Sequence, residues 1–240
     1  MKIIDDFFLR RKRVMLSFSS GKDSAACLRL LEPWWDRLDV VWSNMGNPYA
    51  ETLEYMARIA KLVPNFHMVV GDQPGSVRER GHPVDFLPLD TTDLGRRISG
   101  IRGPLLRPYW DCCQENSWKP MDQFRRDGLY DGVIRGQKDL DSLRAPVRSG
   151  DIVDGSEYFF PLQDWTDSQV LAFVGDRLPA SYHFGRKSSL ECKNCTAYTK
   201  DNVGAVAYLS SRDPAAAAEV REVHTYIRAK WQEYTHFLGE

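Results

Sequence analysis

The sequence has no long apolar run, no excess of charge of either sign and few cysteines. Its 240 residues include 32 Lys and Arg and 33 Asp and Glu, which gives a formal net charge of −1. Near-zero charge with 42% hydrophobic residues excludes a disordered chain, and it excludes a strong overall attraction to nucleic acid or an anionic membrane. A chain of this length can bury a large core without disulfides, so we expect one domain with at most an appendage.

The missing apolar run also bears on location. No stretch approaches the ~18 apolar residues that a membrane-spanning helix needs, so we expect no membrane association. Residues 1–6 carry two acids where a secretory signal needs cations and an apolar run, and the prediction is therefore a cytoplasmic protein. Five cysteines are too few for a disulfide scaffold of this size, and a reducing compartment would not form one.

Apolar patterning predicts a βαβαβ order near the N-terminus. Short buried strands are predicted at 13–18, 38–42 and 66–70, and amphipathic helices follow the first two. Strands that alternate with helices are typical of parallel sheets with crossover helices. The sequence therefore predicts an α/β fold, with a Rossmann-like parallel sheet flanked by helices.

The remainder of the chain is less regular. Residues 71–108 are rich in Gly, Pro, Arg and Asp and are predicted to form a long, partly irregular insertion. The later predicted elements are a helix at 116–127, strands at 132–135 and 157–161, and helices at 167–174 and 214–237. Thr166 and Asp213 are the expected caps of the last two helices, because their side-chain oxygens can accept hydrogen bonds from free backbone N–H groups.

Residues 17–24, Ser-Phe-Ser-Ser-Gly-Lys-Asp-Ser, join the first strand to the first helix. Such a loop offers free N–H groups and the positive end of a helix dipole to an anion. It is not a Walker A loop, which has a glycine four residues further upstream and ends in Lys-Ser or Lys-Thr. The alternative is an ordinary strand-to-helix turn with capping serines. The candidate anion-binding residues are Ser17, Ser19, Ser20, Gly21, Lys22 and Ser24.

Four of the five cysteines form two close pairs. Cys112 and Cys113 are adjacent, and Cys192 and Cys195 form a CxxC. Adjacent side chains diverge and rarely share one zinc, whereas a four-iron cluster accepts a thiolate at each corner, so the pattern favours [4Fe–4S] over zinc. The alternative is a set of incidental thiols. The fifth cysteine, Cys27, lies on an apolar helix face and is predicted to be a core residue.

These motifs resemble those of a known group of proteins. Residues 17–24 resemble the PP-loop of the adenine-nucleotide alpha-hydrolase superfamily, with Ser20 where the family usually has glycine. The cysteine pairs are similar to those that hold a [4Fe–4S] cluster in assimilatory adenylylsulfate (APS) reductases, which belong to the same superfamily. The resemblance implies an adenine-nucleotide ligand, with ATP cleaved between its α and β phosphates.

Weaker motifs extend the resemblance over about residues 13–198. Residues 44–51, including Gly46, are similar to the family's nucleotide-contacting strand end. Residues 136–144 look like the family's Gly-x-Arg-x-x-Glu-Ser-x-x-Arg, with Lys138 for the first Arg and Arg144 one position before the last. The resemblance implies that Gly46, Lys138 and Arg144 contact nucleotide or substrate; the alternative for the two cations is a solvated surface. We predict a PAPS-reductase-like PP-loop domain over 1–198 and a helical extension over 199–240.

One feature of the reductases is missing. No cysteine follows Cys195, whereas the reductases carry a redox-active cysteine near the C-terminus. That thiolate is the nucleophile of their reaction. The reductases also have a degenerate loop, because their substrate is already adenylylated, while Gly21 to Ser24 are intact here. An intact loop predicts that ATP itself is bound and split.

The sequence therefore predicts an ATP pyrophosphatase of sulfur transfer, in DNA phosphorothioation or nucleobase thiolation, with Lys22 and Asp23 as catalytic residues. Asp23 is expected to help bind Mg²⁺. The expected partners are a sulfur donor such as a cysteine desulfurase, other subunits of a sulfur-transfer complex and, through them, nucleic acid; the resemblance also implies a homodimer. The alternatives are an APS or PAPS reductase that uses an external thiol, and a non-catalytic subunit that binds nucleotide and cluster.

Overall fold

The computed structural model describes residues 2–141, 146–178, 182, 192–200 and 204–239. The strands are β1 (Val14–Phe18), β2 (Leu38–Asn44), β3 (Phe66–Val70), β4 (His82–Val84), β5 (Leu106–Pro108), β6 (Gly132–Ile134), β7 (Ile152–Val153) and β8 (Ser156–Phe159). Six of them form one sheet in the order β3-β2-β1-β6-β8-β7. Its neighbouring strands are parallel, except for β7 and β8. The predicted α/β fold with a mostly parallel sheet is confirmed.

Helices surround this sheet. They are α1 (Lys2–Arg10), α2 (Lys22–Leu30), α3 (Ala50–Leu62), α4 (Gln73–Arg80), α5 (Asp93–Ser99), α6 (Tyr109–Cys113), α7 (Lys119–Asp127), α8 (Asp167–Val174), α9 (Ala205–Arg212) and α10 (Pro214–Leu238). A π-helical segment, Gln114–Trp118, joins α6 to α7. Thr166 and Asp213 cap α8 and α10 as predicted. Among the described residues, none of the helices combines the length and the hydropathy that a membrane crossing needs.

Helix α1 is an element that the sequence patterns did not predict. It buries Ile4, Phe7 and Phe8, and the Phe7 ring stacks on Phe159 with centroids 4.8 Å apart. Arg11 directly follows this helix and donates to the Glu157 carboxylate at 2.7 Å, which anchors α1 to β8. A nine-residue helix offers only two turns of periodicity, which is too little to identify it.

The two faces of the sheet carry different cores, because successive side chains of a strand point to opposite sides. Leu16 and Phe18 of β1 face α2 and α8, and pack there with Leu28 and Val170. Met15 belongs to the second core, which lies beneath α7. Strand β1 is thus covered on both faces, as the continuous apolar run in its sequence predicts.

The insertion at 71–108 is more regular than its composition suggests. It contains α4, α5 and a separate two-stranded parallel sheet of β4 and β5. Each of these strands has only three residues, too few to show a period in sequence. Val84 and Leu106 from this sheet pack with Val223 of α10, so the C-terminal helix covers the insertion.

The strand order fixes where a ligand can bind. From β1 the chain crosses to β2 on one side, while β6 pairs with β1 on the other. The connections after β1 and β6 therefore leave the sheet in opposite directions and open a crevice at the carboxyl ends of both strands. Such switch points are where open α/β sheets bind their ligands.

Candidate active site at the carboxyl ends of β1 and β6

The loop between β1 and α2 is held by its own serines. The Ser19 backbone N–H donates to Ser24 Oγ at 3.2 Å, and Ser24 Oγ donates to the Gly21 carbonyl at 3.0 Å. Gly21 is the N-cap of α2 and has no side chain to fill the space above the helix. Residue 21 therefore gives α2 no side-chain cap, and the backbone N–H groups of its first turn are the donors that an anion would use.

Ser20 has an unusual backbone conformation. Its φ is +61°, in the left-handed region that residues other than glycine disfavour. The side chain is also buried. Serine at this position thus adopts the backbone conformation that glycine adopts freely.

Two lysines and three aspartates meet beside the loop. Lys22 Nζ donates to Asp23 at 2.8 Å and lies 3.0 Å from the Asp167 carboxylate. Lys138 Nζ donates to Asp23 at 2.6 Å and lies 2.8 Å from Asp141 Oδ1. The loop after β1, the loop after β6 and the start of α8 each contribute to this cluster. We call it the Lys–Asp cluster: Lys22, Asp23, Lys138, Asp141 and Asp167.

The lysines and aspartates of the cluster hold one another in their charged forms. Burial alone would lower the pKa of Lys138, but its hydrogen bonds to Asp141 and Asp23 outweigh burial and raise that pKa. Burial tends to raise the pKa of Asp167, and the nearby ammonium of Lys22 reverses this, so that the pKa of Asp167 is lowered. Both shifts favour the charged forms. With two ammonium groups and three carboxylates, the cluster carries an excess of one negative charge.

Sequence patterns did not single out Asp141 and Asp167 as site residues. Asp141 lies inside the motif that contains Lys138, and Asp167 directly follows the cap Thr166, so both positions carried a usable signal. Lys138 had been weighed against a solvated surface position. Its side chain is only 1% exposed, which removes that alternative. Arg144, the last cation of the motif, lies outside the described residues.

Gly136 brings the loop after β6 against α2. A Cβ built at this glycine would lie 2.7 Å from the Asp23 carbonyl carbon, closer than real contacts allow. The absence of a side chain therefore sets the distance between the two loops, and with it the contact between Lys138 and Asp23.

The first amide of α2 already has a partner. The Lys22 N–H donates to the Tyr182 hydroxyl at 2.9 Å. This N–H is one of the free donors that an anion at the helix start would use. Tyr182 was not predicted as a site residue, because nothing local in the sequence connects it with the loop 160 positions away.

A pocket of about 680 Å³ adjoins the loop on the α7 side of the sheet. Ser17 and Ser19 line it from β1, and Ser43 lines it from β2. Arg135 and Tyr198 line other walls. Its size is typical of small-molecule sites. Gly46, predicted to contact nucleotide, is not among the lining residues; at φ +95° it packs on the Gly71 backbone instead.

Three of the four paired cysteines lie near one another. Cys112 and Cys113 both contribute to the raised pKa of Cys195, although burial is the main cause; that pKa is about 12. Cys192 instead lies 3.3 Å from Met45 Sδ. Within the described part of the chain, no three His, Cys, Asp or Glu side chains are placed to hold a metal ion. Cys27 is fully buried and burial raises its pKa, in agreement with a core role.

A buried polar network supports the first cysteine pair. Asn116 Nδ2 donates to the Cys112 carbonyl at 2.9 Å and lies 3.9 Å from Cys112 Sγ. Arg107 donates to Glu115 at 2.9 Å and also bonds Ser76. Burial raises the pKa of Cys112, while the Arg107 guanidinium acts in the opposite direction. The insertion thus delivers a buried cation to Cys112.

The CxxC segment is fastened by three parts of the molecule. The Lys193 N–H donates to the Asn47 carbonyl at 2.9 Å, which ties it to the connection after β2. Thr196 Oγ1 donates to the Pro83 carbonyl at 2.6 Å in the insertion, and a His224 ring nitrogen of α10 donates to the Thr196 carbonyl at 3.0 Å. On the pocket side, the Tyr198 hydroxyl lies 3.2 Å from Cys113 Sγ.

Neither a protein-family model nor a curated protein sequence matches this chain. Among solved structures, the phosphoadenylyl-sulfate (PAPS) reductase of Candida auris, in a phosphate complex, matches with a TM-score of 0.55 and 12% identity, over 78% of this chain and 85% of that chain. The U34-tRNA thiolase NcsA of Methanococcus maripaludis, with its [4Fe–4S] cluster, matches with a TM-score of 0.45 and 13% identity, over 90% of this chain and 72% of that chain. At such identity the likeness is one of fold. The predicted resemblance is confirmed at that level: the chain has the fold of a PAPS reductase.

Proposed function

We propose that the chain is a PP-loop enzyme of sulfur transfer that splits ATP into AMP and pyrophosphate to activate an acceptor. The observation that carries this proposal is the Lys–Asp cluster at the N-terminus of α2. An ordinary strand-to-helix turn has no need of two lysines held by three carboxylates. A site that moves phosphate charge does need them.

In this reaction an acceptor oxygen attacks the α-phosphorus, and the bond from that phosphorus to the αβ-bridging oxygen breaks. The electron pair leaves with pyrophosphate. Loop amides, the Ser19 hydroxyl and Lys22 stabilise the departing charge. A sulfur nucleophile then displaces AMP from the acceptor. Phosphate binding at the Lys22 N–H requires displacement of the Tyr182 hydroxyl that accepts from it.

The charge of the cluster favours a divalent cation. ATP is a polyanion and the cluster has an excess of one carboxylate, so the two repel each other. Carboxylate oxygens are the ligands that Mg²⁺ takes in such sites, and Asp23 and Asp167 are the residues that would hold it. When bound, Mg²⁺ would neutralise phosphate charge.

The paired cysteines fit a [4Fe–4S] cluster by donor type. Four thiols supply the required ligands, and three of them already interact. Arg107 Nε is buried with no partner among the described residues, and negatively charged sulfur would give it one. Cys112, Cys113, Cys192 and Cys195 would hold the cluster. When bound, it would supply a labile sulfur or fixed negative charge near the pocket.

The proposed acceptor is DNA, as in phosphorothioation, or a nucleobase, as in thiolation. The U34-tRNA thiolase in the comparison carries a [4Fe–4S] cluster by its own description. The near-zero net charge of this chain indicates that nucleic acid is presented with the help of partner subunits. A cysteine desulfurase is the proposed sulfur donor.

The test is release of pyrophosphate and AMP from Mg-ATP by the full chain, purified anaerobically. Lys22→Ala and Asp23→Asn should each lower the rate at least about 100-fold, because the first removes the ammonium group that stabilises the departing phosphate and the second removes a carboxylate that would hold Mg²⁺. Lys12→Ala is the matched control, since this exposed lysine precedes β1 at the opposite end. Sulfite release from APS or PAPS with an added thiol, without pyrophosphate from ATP, would show a reductase instead. ATP binding without turnover would show a non-catalytic subunit.

Iron and sulfide in the same sample test the cluster. We expect about four of each per chain. Cys112→Ser and Cys195→Ser should lower both, whereas Cys27→Ser, a change in the buried core, should retain them. A colourless protein with one zinc per chain would refute the cluster.

A further inference from the structure

Arg135 forms one wall of the pocket beside the phosphate loop. It directly follows β6, and its guanidinium carbon lies 5.2 Å from the centroid of the Tyr158 ring. Its Nε is buried and has no hydrogen-bond partner among the described residues. A carboxylate in its surroundings, that of Asp122, is already engaged, since Arg125 donates to it at 2.8 and 3.0 Å.

Arg135 is half-buried as a residue, and its buried Nε needs an acceptor. A guanidinium is always charged, and burying a charged donor without a partner is costly. Burial lowers the pKa of Arg135, which reports the same cost. Tyr158 supports the flat face of the group but does not accept its N–H bonds. The geometry leaves the acceptor to a ligand in the pocket.

The charges of the site distinguish this wall from the Lys–Asp cluster. Lys22 and Lys138 are compensated by three carboxylates, so that end of the site suits a polyphosphate that brings its own divalent cation. Arg135 is not compensated in this way. It suits a single anionic group that arrives without a metal, and phosphate matches the fork of a guanidinium.

The position of the pocket fits an acceptor substrate. Ser17 and Ser19 connect it to the loop that would hold ATP, and Tyr198 connects it to Cys113. An acceptor group that is first adenylylated and then attacked by sulfur must reach both the ATP loop and the cysteine region. Trp118, which also lines the pocket and is half-exposed, adds aromatic surface on which a base can stack.

We propose that the Arg135 wall of the pocket binds a phosphate group of the acceptor substrate, separate from the phosphates of ATP. This inference rests on the proposed function. The phosphate belongs to a free nucleotide or to a nucleic-acid strand. The chemistry is the same for both sources, so the probes must distinguish them.

The experiment measures binding by the full chain, with no need for turnover. The probes are α,β-methylene ATP with Mg²⁺, the mononucleotide dTMP and a short single-stranded oligo-dT. Arg135→Gln should weaken binding of a phosphate acceptor about 10- to 100-fold, the loss of a charge-assisted hydrogen bond. Its affinity for the ATP analogue should stay within about twofold of that of the parent protein, and this retained binding also shows that the variant is folded. Arg135→Lys keeps the charge and should lose less affinity.

Arg58→Gln is the matched control, because this exposed arginine of α3 lies outside the pocket. For oligo-dT, Arg135→Gln should also reduce the salt slope of log K by roughly 0.7, the value for one single-strand phosphate. Weaker binding of dTMP alone identifies a free nucleotide, and weaker binding of oligo-dT identifies a strand. Equal losses of affinity for the ATP analogue and for the acceptor probes, or no loss of affinity for either acceptor probe, would overturn the proposal.

Pyrophosphate release from ATP is measured in a separate assay, so failure of the proposed function is seen on its own.

Discussion

At the scale of single residues, the conformation of Ser20 and the burial of Lys138 carry the most information about the site. Ser20 has a left-handed backbone conformation in the loop between β1 and α2. Lys138 is almost fully buried and its ammonium is held by carboxylates from both neighbouring loops. Both residues lie beside the N-terminus of α2 and shape the site there.

Replacing Ser20 with glycine should stabilise the protein. Glycine adopts a positive φ without steric cost, so we expect the free energy of unfolding to rise by about 0.5–1 kcal/mol. Urea denaturation measures it. Ser19→Gly makes the same change at a residue that is not left-handed, and it should lower stability. If the Ser20→Gly variant were less stable than the parent, the positive φ of Ser20 would not be a source of backbone strain.

Replacing Lys138 with methionine should destabilise the protein by about 1.5–3 kcal/mol, because the partly buried carboxylates of Asp23 and Asp141 lose a charged hydrogen-bond donor. A lysine whose folded pKa is raised stabilises fully below its unfolded pKa, and this contribution is lost as pH rises through the folded pKa. The difference from the parent should therefore stay constant to about pH 10 and shrink above it.

Chemical denaturation across this pH range measures the difference. Lys61→Met, at an exposed position of α3, is the control and should change stability little at any pH. A difference that shrinks already near neutral pH would contradict the raised pKa of Lys138.

At the scale of elements, the site depends on how closely two loops approach. The loop after β6 rests on the first turn of α2, and Gly136 makes the contact. This approach joins the cations and carboxylates of both loops into one cluster. The π-helical segment after Cys113 is a second such feature, since it lets Asn116 reach back to Cys112.

Replacing Gly136 with alanine should separate these loops. The added Cβ meets backbone rather than a movable side chain, so we expect a loss of about 1–3 kcal/mol in the free energy of unfolding. Affinity for Mg-ATP should fall as well, because Lys138 and Asp23 move apart. Calorimetric titration and urea denaturation measure the two effects. Leu140→Ala, exposed in the same loop, should change neither.

At the scale of the whole molecule, α10 connects parts that are distant in sequence. Val223 packs on the small sheet of the insertion, and Lys230 donates to Asp90 at 2.8 Å. His224 of the same helix bonds the CxxC segment at Thr196. The insertion, the cysteine segment and the C-terminal helix therefore support one another. The division at residue 198 stays a prediction.

Replacing Val223 with alanine should loosen these parts selectively. Two lost methyl groups and the cavity they leave cost about 2 kcal/mol. Hydrogen exchange should become faster in residues 82–108 and 192–199, while β1 and α2 keep their protection. Leu238→Ala, exposed near the end of the same helix, is the control. If hydrogen exchange became faster in all parts of the chain to the same extent, α10 would stabilise the whole molecule rather than these segments.

The sequence by itself determined the sheet, the phosphate loop and the paired cysteines, because each depends on residues close together along the chain. Apolar runs placed β1, β2 and β3 within a few residues of their observed bounds, and capping residues placed α8 and α10. Local spacing also singled out Lys22 and Lys138. It did not indicate α1, whose two turns give little periodicity.

Only the tertiary structure decided which of these residues meet. Asp141 and Asp167 join the lysines because three separate loops leave the sheet at the same edge. In the described part of the chain the buried Nε of Arg135 has no hydrogen-bond acceptor, and the carboxylate of Asp122 is bonded to Arg125 instead. Such pairings depend on strand order and on burial, and neither is encoded in the spacing of neighbouring residues. Sequence therefore indicates some of the residues of the site, such as Lys22 and Lys138, whereas the carboxylates that join them, and with them the charge balance of the cluster, are set by the fold.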